Sequence, residues 1–98
     1  MKVGVLSDTH NRLHPRIARL LAGVDHIIHA GDIGERWVIE ELSRIAPVTA
    51  VRGNTDAMEI SDAEALLTLE GRLILVCHDR AASPMKKRIA RVRPDIVV

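Results

Sequence analysis

Short apolar segments alternate with amphipathic ones along this chain, and this alternation most constrains the fold. Strands are predicted for the segments rich in aliphatic residues, which are residues 2–6, 26–30, 48–51, 64–69, 72–77 and 95–98. Helices are predicted over residues 15–23, 35–45 and 85–92, where apolar residues recur at helical spacing. Strands that alternate with helices are typical of an α/β fold, here with mixed strand directions.

The segment 72–77 is predicted to be a central strand. Glu70-Gly71 separates it from the segment 64–69, and this dipeptide is typical of a tight hairpin turn. Residues 73–77 are apolar at every position, which is typical of a strand that is covered on both faces.

Size and composition favour a single domain over residues 1–98. The net charge of +1 gives no whole-chain argument for nucleic acid or a membrane surface. Every apolar run is shorter than the ~20 residues of a membrane span, and because polar residues appear so early we expect no signal peptide. Cys77 is the only cysteine, which excludes an internal disulfide and favours the reducing cytoplasm.

Polar side chains follow four of the predicted strands. The groups are Ser7-Asp8-Thr9-His10, Gly31-Asp32, Gly53-Asn54-Thr55-Asp56 and His78-Asp79. Ligands bind at the carboxyl ends of strands in α/β sheets, so these groups are expected to meet at one place. Mixed oxygen and imidazole donors suit Mn, Fe, Zn or Co better than Ca. The alternative is that each group is only a turn, because Asp, Asn and Gly favour turns.

In this order, the four groups resemble the motifs of calcineurin-like metallophosphoesterases, and most of all the small YfcE-type phosphodiesterases. The resemblance implies a β-sandwich flanked by helices and two divalent metal ions, drawn from Mn, Fe, Zn, Co and Ni. Asp8, His10 and Asp32 would hold one ion. Asp32, Asn54 and His78 would hold the other, so that Asp32 bridges the two.

The resemblance also implies the reaction, which is hydrolysis of a phosphodiester or phosphomonoester by a dimetal-bound hydroxide. Asn54 is a candidate contact to the phosphate-ester substrate. Arg52, just before Gly53, is another, and the alternative is that it is only an exposed arginine at a strand end. The alternative is a non-catalytic scaffold, because the same family contains a retromer subunit that uses the fold for protein binding.

The sequence departs from the family pattern at three points. The last family motif, Gly-His-Thr-His, would follow the strand at 95–98, and the chain stops at Val98. We therefore expect an incomplete second sheet, an uncovered apolar face on the strand 73–77, self-association through that sheet and impaired activity. Thr55 stands where some relatives carry a histidine that protonates the leaving group, which leaves Asp56 as the candidate general acid. His78-Asp79 stands where many relatives have His-Gly, and shifting this motif by one residue would put Cys77 in the ligand position instead of His78.

Two further features have competing interpretations. The segment 80–93 contains six basic residues and no acidic ones. One interpretation of this basic segment is an amphipathic helix whose charged face is solvated. The alternative is that the segment attracts a phosphate-bearing substrate or nucleic acid. A nucleic-acid partner is not expected overall. His29 lies just before the Gly31-Asp32 group. It is a candidate for orienting the metal ligands without binding the metal itself, and the alternative is a purely structural role.

Overall fold

The computed structural model describes residues 2–53, 56, 64–78 and 94–98. Its elements are β1 (Val3–Leu6), α1 (Arg16–Leu20), β2 (His26–His29), α2 (Arg36–Ser43), β3 (Val48–Ala50), β4 (Glu64–Leu69), β5 (Arg72–Cys77) and β6 (Ile96–Val97). The predicted strands and the first two helices are present, and their ends differ from the predicted ones by at most three residues. The predicted helix at 85–92 and the basic segment lie outside the described residues.

The first sheet is parallel and has the order β1-β2-β3. Its middle strand, β2, is buried on both faces, because Ile27 and Ile28 point in opposite directions and both are at most 1% exposed. The parallel arrangement brings the carboxyl ends of β1, β2 and β3 to the same edge of the sheet.

The second sheet has the order β4-β5-β6 and mixed strand directions. β4 and β5 form an antiparallel hairpin in which Leu66 lies opposite Leu75. The turn residues Glu70 and Gly71 both have positive φ angles, 49° and 78°, as the tight hairpin turn that matches strand twist requires. β6 then pairs parallel to β5, so β5 is central as predicted.

Two apolar clusters arrange these elements in layers. Ile27 packs with Leu21, Val38 and Leu42 on the helical side of the first sheet. Ile28 faces the other way and packs with residues of the second sheet, including Ile74 and Val76. Full burial of such a side chain contributes about 1.5–3 kcal/mol. The described residues therefore form a β-sandwich with α1 and α2 on the outer face of the first sheet.

The expectation of an uncovered face on β5 is wrong. Ile74 and Val76 pack between the sheets, and Leu75 and Cys77 alternate with them onto the opposite face. Leu75 is 0% exposed and Cys77 is 3% exposed, so the outward face of the strand is buried as well. Within the described residues no helix is long and apolar enough to cross a membrane.

Candidate metal centre

Three strand ends, from both sheets, form the candidate site. Asp8 and His10 lie in the loop after β1, and Asp32 lies in the loop after β2. His78 directly follows β5 in the second sheet. These four of the predicted metal ligands come together, as the positions of the strand ends led us to expect.

Asp8, His10 and Asp32 form a compact group of donors. One ligand atom from each lies within 4.8 Å of the others. Nε2 of His10 is 3.6 Å from Oδ1 of Asp8 and 3.9 Å from Oδ2 of Asp32, distances too long for hydrogen bonds. Atoms that bind one ion at about 2.1 Å lie about 3–3.5 Å apart, so modest adjustment lets these donors share an ion.

His78 extends this group from the other side of Asp32. Its Nδ1 lies 2.9 Å from the carbonyl oxygen of Ala30, and a carbonyl only accepts, so Nδ1 carries the proton that is donated. In a neutral imidazole, Nε2 then presents a lone pair, and it lies 3.4 Å from Oδ2 of Asp32. A lone pair that faces a carboxylate oxygen is repelled unless a cation lies between them. Imidazole and carboxylate donors in this arrangement fit a divalent transition-metal ion.

The backbone at the site is strained. Asp8, His10 and Asp32 have φ angles of 56°, 47° and 56°, in the left-handed region that Asp, Asn and His enter more readily than other non-glycine residues. Such residues cost about 1–3 kcal/mol each and persist only where their surroundings hold them in place. Here the Asp8 and His10 amides donate to the carbonyls of Gly31 and Asp32, both at 2.9 Å. The first two loops are thereby joined.

Two glycines leave room for the ligands. Gly31 has a φ of 109°, and a Cβ there would lie 2.6 Å from Nδ1 of His78. A Cβ on Gly53 would overlap the Asp32 carboxylate and backbone nitrogen. Any side chain at either position would displace a candidate ligand.

Thr9 and His29 form a part-buried hydrogen-bond chain next to the candidate ligands. The Gly31 amide donates to Nδ1 of His29 at 3.1 Å, so the neutral ring carries its proton on Nε2. This Nε2–H donates to the Thr9 hydroxyl at 3.0 Å, and the hydroxyl donates to the Ile33 carbonyl at 2.7 Å. Burial lowers the pKa of His29 and favours the neutral ring that the chain requires. The sequence analysis gave Thr9 no role of its own. Its position between the predicted ligands Asp8 and His10 is the signal that points to one.

Asp56 is placed differently from a general acid. Its carboxylate accepts hydrogen bonds from the backbone amides of Ile33, Gly34 and Gly53. Burial raises the pKa of Asp56, but these three donors outweigh it, and the net pKa lies below the usual value. A carboxylate held in this ionised form is poorly suited to donate a proton, so the geometry disfavours the predicted role.

The remaining predicted residues are less fully placed. Arg52 is half-buried and lies between β3 and Gly53, beside the site. Asn54 and Thr55 lie outside the described residues. His78 rather than Cys77 is the residue that reaches Asp32, while Cys77 is buried at the end of β5.

Residues 1–98 match the sequence model of one protein family, the calcineurin-like phosphoesterase superfamily domain. The chain therefore belongs to this superfamily, as the motifs had suggested.

Individual relatives agree with this assignment. A probable metallophosphoesterase of Methanocaldococcus jannaschii is 33% identical over an alignment of 96 positions, and the match covers 91% of this chain and 48% of the relative. A phosphodiesterase of the same organism is 37% identical over 62 residues, covering 57% of this chain and 37% of the relative. The chain thus spans about half or less of the length of these relatives.

Solved structures show the same fold. An archaeal phosphodiesterase superposes with a TM-score of 0.77 and 26% identity, over 99% of this chain and 70% of that one. Vps29 of Entamoeba histolytica, solved with zinc, gives a TM-score of 0.77 at 19% identity, over 99% and 62% of the two chains. At that identity the Vps29 likeness concerns the fold alone.

Proposed function

We propose that this chain is the domain of a metal-dependent phosphoesterase that hydrolyses phosphodiesters or phosphomonoesters. One observation carries the proposal. Oδ2 of Asp32 lies 3.9 Å from Nε2 of His10 and 3.4 Å from Nε2 of His78, with Asp8 beside His10. A single carboxylate oxygen that faces two imidazole nitrogens suits a bridge between two ions. Membership of the calcineurin-like superfamily supports the same function.

In this proposal, Asp8, His10 and Asp32 hold one ion, while Asp32, His78 and Asn54 hold the second. When bound, two such ions polarise a phosphoryl oxygen and lower the pKa of water, so that a nucleophile is available near neutral pH. Mn²⁺ is a suitable first probe because carboxylate, amide and imidazole donors all accept it.

The residues of the chain have distinct tasks in this scheme. The carboxylates of Asp8 and Asp32 offset the positive charge at the centre. The Ala30 carbonyl orients His78 by accepting its Nδ1–H, which directs Nε2 toward Asp32. Arg52, next to Gly53, is the proposed contact to phosphate oxygens, because a guanidinium matches two of them at once.

Calorimetric titration of Mn²⁺ tests the proposal. We expect binding by the wild type and its loss in Asp32→Ala. The matched control is Asp25→Ala, because Asp25 is exposed and its carboxylate contacts only the Lys2 amide among the hydrogen bonds described. Identical binding by the wild type and Asp32→Ala would contradict the shared-carboxylate site.

Turnover of an activated aryl phosphodiester by the same proteins tests the reaction. We expect any hydrolysis to depend on Mn²⁺ and to be absent in Asp32→Ala. We also predict that this chain hydrolyses the phosphodiester slowly, and the same assay measures the rate. If neither Mn²⁺ binding nor hydrolysis is found, the non-catalytic scaffold becomes the better interpretation.

A further inference from the structure

The Asp56 carboxylate joins two loops that carry proposed metal ligands. Oδ2 accepts from the amides of Ile33 at 2.9 Å and Gly53 at 2.8 Å. Oδ1 accepts from the amide of Gly34 at 3.0 Å. Hydrogen bonds to an ionised acceptor are about twice as strong as neutral ones, so three of them form a firm link.

The three amides belong to residues that adjoin proposed ligands. Ile33 and Gly34 follow Asp32 in the loop after β2, and Gly53 precedes Asn54 in the loop after β3. With these hydrogen bonds in place, Gly53 lies so close to Asp32 that a Cβ on Gly53 would overlap Oδ1 of Asp32. With Oδ1 confined by Gly53, Oδ2 is left to face His10 and His78.

We infer that Asp56 is a positioning residue of the metal centre. Its carboxylate clamps the loop after β3 onto the loop that carries Asp32, and so orients the bridging carboxylate of Asp32. This inference rests on the proposed function. Asp56 acts through Asp32 and Gly53 and itself donates no proton.

An asparagine cannot replace this carboxylate. Its amide group keeps one oxygen and puts an NH₂ donor at the position of the other, against a backbone N–H. If its oxygen takes the place of Oδ2, the Gly34 bond is lost. The reverse orientation loses the bonds to Ile33 and Gly53. Asp56→Asn therefore keeps at most two of the three bonds while preserving size and shape.

Calorimetric titration of Mn²⁺ into Asp56→Asn tests the inference at a temperature where circular dichroism shows the variant to be folded. The matched control is Asp95→Asn, because Asp95 also accepts a backbone hydrogen bond, from Leu73 at 2.8 Å, but near the start of β5. We expect Asp56→Asn to bind Mn²⁺ about tenfold or more weakly, and Asp95→Asn to bind like the wild type. A purely structural role would lower the stability of the folded variant and leave its Mn²⁺ affinity unchanged, which would overturn the inference.

Amide exchange in the wild type provides a test that needs no variant to fold. We expect the Ile33, Gly34 and Gly53 amides to exchange slowly in metal-free protein, because all three donate to Asp56. Rapid exchange of these amides would show that the clamp does not form in solution. The two proposals fail in different ways. No Mn²⁺ binding by the wild type would contradict the proposed function, whereas equal binding by the wild type and Asp56→Asn would contradict only the clamp.

Discussion

Nε2 of His78, at the end of β5, lies 3.4 Å from Oδ2 of Asp32, which follows β2 in the other sheet. This contact means that the candidate metal centre depends on how the two sheets pack. The Ile28, Ile74 and Val76 cluster between the sheets therefore supports the site as well as the fold. Changes that disturb the sandwich near this edge should weaken metal binding even when no ligand is altered.

The first prediction concerns Gly31, which makes room for His78. Gly31→Ala should destabilise the protein, since its φ of 109° costs an alanine about 1–3 kcal/mol and the new Cβ would press on the imidazole. Displacement of His78 should also weaken Mn²⁺ binding. Urea unfolding and Mn²⁺ calorimetry measure the two effects.

Gly23→Ala is the matched control for this prediction. Gly23 also has a positive φ, 83°, but a Cβ there would meet nothing within 4 Å. It should carry only the backbone cost of about 1–2 kcal/mol and leave Mn²⁺ affinity unchanged. Equal Mn²⁺ affinities in the two variants would show that Gly31 does not set the position of His78.

The second prediction concerns pH and follows from His29. Burial lowers its pKa in the folded protein, so the unfolded chain binds a proton first as the pH falls. The stability due to neutral His29 is fully present above its ordinary pKa of about 6.5 and is lost as the pH falls below it. Urea unfolding in metal-free buffer between pH 8 and pH 5 should show this loss, with a slope from this group of at most about 1.4 kcal/mol per pH unit.

His29→Gln removes the titrating group while keeping a side chain that can donate to Thr9. The variant should be less stable at pH 8, because the acceptor for the Gly31 amide is altered. Its stability should fall less steeply below pH 6.5. The same slope in both proteins would mean that His29 is not the source of the pH dependence.

The third prediction tests whether β5 is covered on its outward face. Leu75 is 0% exposed, so Leu75→Ala should lower the free energy of unfolding by about 2–5 kcal/mol. Leu66 lies directly opposite on β4 and is 44% exposed, so Leu66→Ala should cost about 1 kcal/mol or less. Chemical denaturation of the two variants gives the comparison, and similar losses would contradict the burial of this face.

Local sequence patterns predicted much of this molecule. The strands are short runs of aliphatic residues, and Glu70-Gly71 marks the hairpin because both residues must take positive φ angles. The four candidate ligands that lie together were predicted to do so because Asp8, His10, Asp32 and His78 each follow a strand. Chain direction places such residues at one edge of a parallel sheet, and the family motifs predicted their grouping across both sheets.

Other features depend on contacts between distant parts of the chain. The amino-acid order alone shows which residues follow each strand and that β5 is apolar from Leu73 to Cys77. Packing between distant segments, by contrast, covers both faces of β5 and gives Asp56 its hydrogen bonds from three backbone amides. It also brings Thr9 into hydrogen-bond contact with His29. A carboxylate that follows Gly53-Asn54-Thr55 has the same local pattern whether it donates a proton or accepts backbone amides. The difference lies in the amides that the folded chain brings to it, and two of the three, those of Ile33 and Gly34, come from another loop.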